Sequence, residues 1–387
     1  MLSRRRLSCL IVIVSVSICV VAIHSRAQVN AHASPATLSP QTPSTQRVEQ
    51  EPIKVFTEEV RIPVVAYDDY GHYDPTLEPD DILVLEDGLP QQIRSVRRLP
   101  ADVLLVLDMS SQITLAKSSD TTRGIALRLI SSLRAGDQVS AIQFSDRVEL
   151  LHDWTTDLKE VEHALKTKLY SSKRARLSEA IVAAVAQFKN RPLGNRHLVL
   201  ITDGVETPGG KVSPADAFKQ LSAAQASVHV ISYTALIRRA IDQRYKRSIY
   251  KQGGSGAQRD ATPGGDPTLP PGMTRNPTFT LGTIDLDRQM RRWYKKYAEA
   301  TEQSERRLAS LAEETGGRLL LPETTEEMIR QGNEVARDIG AQYVVTYAPK
   351  RPLVTAKAGE YRRLEVAPRR SGLSLRSRRG YIAVPTP

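Results

Sequence analysis

Long apolar runs alternate with amphipathic segments through the middle of the chain. The interiors of 103–107 and 196–202 are almost wholly apolar, which is typical of strands buried on both faces of a parallel sheet. Apolar residues at helical spacing predict helices at 116–134, 158–169, 177–188, 214–226, 285–315 and 326–339. Further strands are predicted at 137–144, 147–151, 228–233 and 316–321. Strands that alternate with helices predict an α/β fold with a doubly wound, mostly parallel sheet.

The segments on both sides of this region have the pattern of β-structure. Short strands are predicted at 60–67, 81–88 and 91–96, with an Asp87-Gly88 hairpin turn. They predict a small N-terminal β-sandwich-like domain. C-terminal β-strands are predicted at 343–347, 361–366 and 380–383. We expect the tail strands to pair with the N-terminal β domain, because the two regions flank the α/β core.

The composition of the remaining segments predicts the domain bounds. Three arginines, an apolar run and Ser25-Arg26-Ala27 are typical of a secretory signal peptide over 1–27; an uncleaved N-terminal anchor is the alternative. Residues 28–51 are rich in Pro, Ser, Thr, Ala and Gln, which predicts a disordered leader. The predicted domains are the β domain (52–100), the α/β domain (101–340), an insertion within it (about 238–284), and the C-terminal strands (341–387).

Charge and cysteine content narrow the functional classes. Both cysteines, Cys9 and Cys19, lie in the predicted signal peptide, which excludes a mature cysteine nucleophile, a zinc–thiolate site and a disulfide framework. The net charge of +11 is dispersed along 387 residues, so we interpret it as a solvated basic surface. Nucleic-acid binding agrees with the charge but not with an exported location.

One helix segment is both basic and aromatic. Residues 291–297 combine four cationic side chains with Trp293, Tyr294 and Tyr297. This composition is compatible with membrane contact at the interface. The alternative is an ordinary charged helix that packs through its apolar face.

The clearest candidate chemistry lies at the ends of two predicted strands. Asp108 and Ser110 follow the first apolar strand, and Asp203 follows the second. Open α/β sheets bind ligands at the carboxyl ends of their strands. An oxygen-rich site of this kind suits a hard divalent cation such as Mg²⁺.

No constellation in the sequence predicts an enzyme. The seven histidines are scattered, without the spacing of a metal pair. The chain has no serine-hydrolase elbow and no phosphate-binding glycine loop. A carboxylate-nucleophile phosphatase usually carries a second aspartate where this chain has Ser110.

Over about 102–339, the chain resembles the von Willebrand factor type A (vWA) domain in three features. They are the strand that ends in Asp108-x-Ser110, the strand that ends at Asp203, and the order of elements between them. Three flanking segments resemble a narrower set, the VWFA-related proteins abundant in acidobacteria. They are 77–88, 308–317 and 372–381. The resemblance implies the vWA/Rossmann-like version of the doubly wound fold.

The resemblance also implies a metal-ion-dependent adhesion site, in which this chain departs from the family pattern. The D-x-S-x-S loop reads Asp108-Met109-Ser110-Ser111-Gln112, and Ala175 stands where a threonine is expected. The implied metal ligands are Asp108, Ser110, Gln112 and Asp203, for Mg²⁺ or another divalent cation. Alternatively, the basic residues Lys173, Arg174 and Arg176 replace the metal, with Asp108 and Asp203 paired to Arg174 or Arg176.

These observations predict an exported, non-enzymatic protein-binding or adhesion module with a degenerate vWA-type site. Its location would be periplasmic, cell-surface or secreted, and its partner a protein of the cell envelope. Lys173, Arg174 and Arg176 would form a ligand-binding rim that attracts an acidic partner. The alternative is a structural cell-envelope module with a vestigial site. The sequence does not determine the oligomeric state.

Overall fold

The computed structural model describes residues 58–111, 117–243, 286–357 and 359–384. The predicted signal peptide, the predicted leader, the Gly- and Pro-rich part of the insertion, and Gln112 lie outside these residues. The strands are β1 (Val60–Tyr67), β2 (Ile82–Glu86), β3 (Leu89–Pro90), β4 (Gln92–Arg97), β5 (Asp102–Asp108), β6 (Gln138–Phe144), β7 (Val148–Thr155), β8 (Arg196–Thr202), β9 (Ser227–Ser232), β10 (Leu319–Leu320), β11 (Tyr343–Ala348), β12 (Tyr361–Pro368), β13 (Ser374–Ser377) and β14 (Gly380–Ile382).

The helices cover both faces of the central sheet. They are α1 (Ser119–Ile130), α2 (Leu158–Thr167), α3 (Leu177–Phe188), α4 (Pro214–Ala223), α5 (234–243), α6 (Leu286–Thr315) and α7 (Thr325–Ala341). One apolar core packs α1, α2 and α7 against the sheet, and a second packs α3, α4 and α6 against it. Two separate cores explain why β5 and β8 are apolar without alternation.

The central sheet has the order β10-β9-β8-β5-β6-β7, and only the edge strand β7 runs antiparallel. The doubly wound, mostly parallel fold is therefore confirmed. The chain leaves β5 toward β6 on one side and later returns to β8 on the other. This reversal creates a crevice beyond the carboxyl ends of β5 and β8, where α/β sheets bind ligands.

Two four-stranded sheets form a sandwich built from both ends of the described chain. Their orders are β13-β1-β11-β4 and β14-β12-β2-β3. The tail strand β11 pairs with β1 and β4, and β12 pairs with β2. The predicted pairing of the tail with the N-terminal β region is thus confirmed. The N-terminal strands and the tail strands share one apolar core, and such a hydrophobic face is what gives a small sheet its stability.

Two glycines bring the end of α6 close to neighbouring backbone. Gly316 has φ +76°, and a Cβ there would lie 2.6 Å from the Arg378 backbone nitrogen. A Cβ on Gly317 would lie 1.9 Å from the carbonyl oxygen of Val228 in β9. Only glycine allows so close an approach. The Gly316-Gly317 pair of the family-like segment therefore joins α6 to both the central sheet and the sandwich.

Helix α5 is an element that the sequence analysis missed. It occupies 234–243, where the insertion was predicted to start at about 238. Ile237 is fully buried, and Arg238 pairs with Glu305 of α6 at 2.6 Å. The helix is thus held by Glu305 of α6, which lies 67 residues further along the chain than Arg238, so local pattern alone did not reveal it.

Nowhere in the described ranges does a helix combine the length and the apolar character needed to cross a bilayer. In the basic and aromatic segment of α6, Tyr297 is buried, whereas Trp293, Lys295 and Lys296 are exposed. The segment therefore packs through one face and presents its cations on the other.

A buried polar cluster lies where the sandwich meets the α/β domain. His197 of β8 and His229 of β9 stack, with His197 Nδ1 3.2 Å from His229 Nε2. His229 Nδ1 lies 3.5 Å from the carboxylate of Asp338 in α7, which also accepts hydrogen bonds from Tyr67 and Arg376 of the sandwich. Burial lowers the pKa of His197, and it lowers the pKa of His229 to about 3.

The histidine pair is expected to make the fold sensitive to acid. In the unfolded chain both histidines take up protons below about 6.5, whereas the folded protein resists protonation. Their contribution to stability is therefore complete above pH 6.5 and is lost progressively toward pH 3. We expect the free energy of unfolding to fall by up to about 1.4 kcal/mol per pH unit for each histidine.

Urea unfolding at a series of pH values measures this slope. The double substitution His197→Gln/His229→Gln should flatten the acid limb relative to the unsubstituted protein. His163→Gln, which changes an exposed histidine, should leave the limb unchanged. Identical acid limbs in all three proteins would show that the buried pair does not cause the sensitivity.

Candidate functional site

The two aspartates predicted from the sequence meet at the carboxyl edge of the sheet. Asp108 is the last residue of β5, and Asp203 directly follows the neighbouring parallel strand β8. Ser110 lies two residues after Asp108, and its backbone N–H donates to Asp108 Oδ1 at 2.9 Å. All three side chains are buried. The predicted convergence of Asp108, Ser110 and Asp203 is present in the structure.

A lysine that sequence reasoning did not single out lies between these residues. The Nζ atom of Lys117 is 2.6 Å from Asp108 Oδ1 and 3.7 Å from Asp203 Oδ2. It also donates to Ser110 Oγ at 2.8 Å. The Lys117 side chain is only 3% exposed. Its ammonium group therefore contacts three of the four side chains that were predicted to ligate a cation.

The position of Lys117 in the chain explains how it reaches the site. It precedes Ser118, which caps α1 by accepting from the Thr121 backbone N–H. The lysine side chain extends from this loop toward the ends of β5 and β8, with Nζ 5.8 Å from the centre of the Tyr233 ring. No local motif marks the residue. The sequence offered one indirect indication of such a residue: two carboxylates at buried strand ends require a positive charge close by.

The protein satisfies the other carboxylate oxygens as well. Thr202 Oγ1 donates to Asp108 Oδ2 at 2.7 Å. The Val205 backbone N–H donates to Asp203 Oδ1 at 2.9 Å, and Tyr297 Oη donates to Asp203 Oδ2 at 2.7 Å. Each of the four oxygens thus has at least one donor from the chain itself.

Helix α6 covers the Asp203 side of the site. Besides the bond from Tyr297, Ser304 Oγ donates to the Asp203 carbonyl at 2.7 Å. Burial, and secondly the Asp203 charge, raise the pKa of Tyr297, so its hydroxyl remains a donor. Burial also raises the pKa of Asp203; the positive charge of Lys117 opposes this rise. The site is closed on this side by a helix that follows the predicted insertion.

The loop before α3 differs from the pattern implied for a metal site. Ala175 is fully buried, and its backbone N–H donates to Thr207 Oγ1 at 2.9 Å. Arg176 donates to the Thr207 carbonyl at 3.1 Å and lies 3.9 Å from Glu179, so it braces the neighbouring loop. The prediction that Arg174 or Arg176 pairs with the aspartates is wrong, because Lys117 holds that position.

Lys173 and Arg174 remain on the surface beside the site. Both are exposed, and neither has an ion-pair or hydrogen-bond partner among the described residues. Their loop is anchored to the site loop, since the Ser111 backbone N–H donates to the Ser172 carbonyl at 2.7 Å. These two cations therefore lie at the edge of the site.

A groove of about 630 Å³ runs between the 204–214 loop and α6. Its floor includes Ser178, whose Oγ donates to Glu206 at 2.6 Å. Lys211 and Arg307 line it and are exposed. The groove begins at Gly204, directly after Asp203, so it continues the predicted binding edge.

The side chains present do not fit the divalent cation that the resemblance implies. The Lys117 ammonium contacts Asp108, Ser110 and Asp203, and a second cation placed among the same oxygens would be repelled by it. Ala175 supplies no side-chain oxygen, and Gln112 lies outside the described residues. Within those residues, no group of three or more His, Cys, Asp or Glu side chains is arranged to hold a metal.

The chain is similar to several solved structures, although the likeness is limited. BatB, a conserved hypothetical protein from Bacteroides thetaiotaomicron, is 24% identical with a TM-score of 0.30; the match covers 34% of this chain and 65% of BatB, less than two thirds of its length. An aerotolerance-related membrane protein from Bacteroides fragilis is 16% identical with a TM-score of 0.35, covering 61% of this chain and 98% of that one.

A third structure carries a metal. Proximal thread matrix protein 1 from the mussel byssus, with a zinc-occupied MIDAS motif, is 16% identical with a TM-score of 0.31, covering 34% of this chain and 38% of that one. These TM-scores are low, so the functional conclusions rest on the residues of this chain. No curated protein matches the sequence.

The family assignment comes from the sequence of the α/β domain. Residues 102–258 match the model of the von Willebrand factor type A domain, and they contain β5 to β9 with both site aspartates. Residues 102–258 of this chain are therefore a von Willebrand factor type A domain.

Proposed function

We propose that this chain is an exported, non-enzymatic protein-binding module that holds an acidic segment of a cell-envelope partner at the rim of its vWA domain. The observation that carries the proposal is the pair of exposed cations, Lys173 and Arg174, which lack a partner among the described residues and lie beside the site loop. Export rests on the sequence pattern of residues 1–27.

Charge supports an acidic partner. Lys211 and Arg307 line the adjacent groove and, like Lys173 and Arg174, are exposed. The carboxylate of Glu206 in the same groove is engaged by Ser178. Positive charge on an exposed rim speeds association with an acidic partner and weakens with salt. A carboxylate-rich segment therefore complements this edge better than a neutral one.

The chemistry of the buried site supports a non-enzymatic function. The Ser110 hydroxyl accepts from the Lys117 ammonium, whereas a serine nucleophile needs a neighbouring base that accepts its proton. Asp108 and Asp203 are buried, and each of their oxygens is already engaged by a donor of the chain itself. The vWA family consists largely of interaction modules, which agrees with this reading.

The closed site also favours a second candidate, a structural cell-envelope module with a vestigial site. Asp108, Ser110, Lys117 and Asp203 are at most 5% exposed. Because they satisfy one another, they stabilise the fold without any ligand. The two candidates differ only in whether the rim binds a partner.

Charge reversal at the rim separates the two candidates. A fluorescent glutamate-rich peptide should bind the purified protein at low salt, and Lys173→Glu/Arg174→Glu should weaken binding by about tenfold or more. Fluorescence anisotropy measures both affinities. The physical reason is that the two reversals replace attraction with repulsion at the rim.

The matched control reverses two lysines at the opposite edge of the sheet. Lys159, in the first turn of α2, and Lys189, directly after α3, are both exposed and lie away from the site. Lys159→Glu/Lys189→Glu changes the net charge equally, so a nonspecific effect of charge would weaken binding to the same extent. Equal affinities for both double variants would support the vestigial, structural reading.

A further inference from the structure

We propose that the ammonium group of Lys117 is a built-in replacement for the divalent cation of the vWA site, and that this site works without metal and becomes a metal site when Lys117 is removed. This role of Lys117 does not depend on whether the rim binds a partner. It concerns the charge that holds the site together.

The geometry suits an ammonium ion. Nζ lies 2.6 Å from Asp108 Oδ1 and 2.8 Å from Ser110 Oγ, which are distances of charge-assisted hydrogen bonds. Mg²⁺ requires oxygens at about 2.0–2.1 Å in a near-octahedral arrangement. The pocket is therefore shaped around the longer contacts of a nitrogen donor.

The site holds two carboxylates with one cation, Lys117. A divalent ion would neutralise both aspartates, whereas Lys117 supplies a single positive charge. Neutral hydrogen-bond donors bind the carboxylate oxygens in addition to Lys117. They are the hydroxyls of Thr202 and Tyr297 and the backbone N–H groups of Ser110 and Val205. Hydrogen bonds of this kind stabilise an ionised carboxylate. The second negative charge is thus dispersed over several donors.

Lys117 also keeps divalent cations in the solvent from entering the site. Its side chain is 3% exposed, its Nζ lies 5.8 Å from the centre of the Tyr233 ring, and Tyr297 binds the neighbouring Asp203 carboxylate. A divalent ion could enter only by displacing an ammonium that is covalently tethered to the loop before α1. The Lys117 ammonium and a divalent ion at the same oxygens would repel each other strongly, because a buried site has little water to screen their charges.

Removal of the lysine side chain should free the oxygen atoms that could bind a metal. Lys117→Ala would leave Asp108, Ser110 and Asp203 oxygens facing a space that the ammonium had filled. Two carboxylates and a hydroxyl, completed by water, are ligands that Mg²⁺ and Mn²⁺ accept. The substituted protein should then gain stability on adding metal, since the metal binds the folded state.

The test compares Mn²⁺ binding by isothermal titration and the melting temperature with and without Mn²⁺. The unsubstituted protein and Lys159→Ala, an exposed control, should show no saturable site and no shift in melting temperature. Lys117→Ala should bind Mn²⁺ at least about tenfold more tightly and melt at a higher temperature with metal. The added substitution Asp108→Asn should abolish this gain.

Two results would overturn the proposal. One is saturable Mn²⁺ or Mg²⁺ binding to the unsubstituted protein that disappears in Asp108→Asn. The other is a folded Lys117→Ala protein that binds Mn²⁺ no better than its parent. If Lys117→Ala folds only with Mn²⁺, the proposal is supported; if it folds in neither condition, the titration of the unsubstituted protein against Asp108→Asn decides.

Discussion

Lys117→Met is expected to lower the free energy of unfolding by about 3–5 kcal/mol, because it removes one partner of a buried ion pair and leaves the other charged. Asp108 and Asp203 are each 1% exposed, and Lys117 is the cation that contacts both. Methionine fills a similar volume, so the loss measures charge more than packing. Urea unfolding at neutral pH gives the value.

Two further proteins test the cause of this loss. Lys159→Met removes an exposed lysine and should change stability by less than about 0.5 kcal/mol. The triple variant Lys117→Met/Asp108→Asn/Asp203→Asn removes the unpaired charges and should recover a large part of the loss. A loss below about 1 kcal/mol in Lys117→Met would show that the buried triad contributes little net energy.

Glu86→Ala is expected to destabilise the sandwich to a similar extent, by about 3–5 kcal/mol. Glu86 of β2 and Arg362 of β12 are both 1% exposed and lie 2.9 Å apart in the sandwich core. Tyr347 and Tyr381 donate to the same carboxylate at 2.7 and 3.0 Å. Burial raises the pKa of both tyrosines, so both hydroxyls remain donors and lose their acceptor in this variant.

The same strand offers a matched control. Arg363 and Glu365 of β12 form an exposed pair at 3.1 Å, so Glu365→Ala should cost less than about 1 kcal/mol. Glu86→Gln keeps a hydrogen-bond acceptor without the charge, and its loss should lie between the other two. If Glu86→Ala and Glu365→Ala unfold at the same urea concentration, the buried cluster does not stabilise the sandwich.

The two large effects are expected at sites with the same construction. In each, a buried cation and a buried carboxylate are held by hydroxyl donors from elements far apart in sequence. Tyr297 reaches Asp203 from α6, and Tyr381 reaches Glu86 from β14. Such clusters are costly to break, because little water can replace the lost partner. In the sandwich, Arg362 keeps Glu360 at 3.0 Å, whereas Tyr347 and Tyr381 lose the Glu86 carboxylate. Each pair therefore ties distant parts of the chain to one core.

Much of the architecture was predictable from the sequence. The spans 177–188 and 196–202 match α3 and β8 as observed, because long apolar patterns carry a strong local signal. The tail strands pair with the N-terminal strands as expected. Helix α5 was missed, since its packing partner α6 is remote in sequence.

The candidate site was also predictable from the sequence only in part. The sequence by itself determined that Asp108, Ser110 and Asp203 meet, because the carboxyl ends of adjacent parallel strands lie at one edge of a sheet. Only the tertiary structure decided which cation faces them. Lys173, Arg174 and Arg176 were candidates because they flank Ala175, where the resemblance implies a metal-ligating threonine, yet Lys117 takes the position. Long, flexible side chains are placed by the three-dimensional distribution of charge and burial, which a linear pattern does not encode.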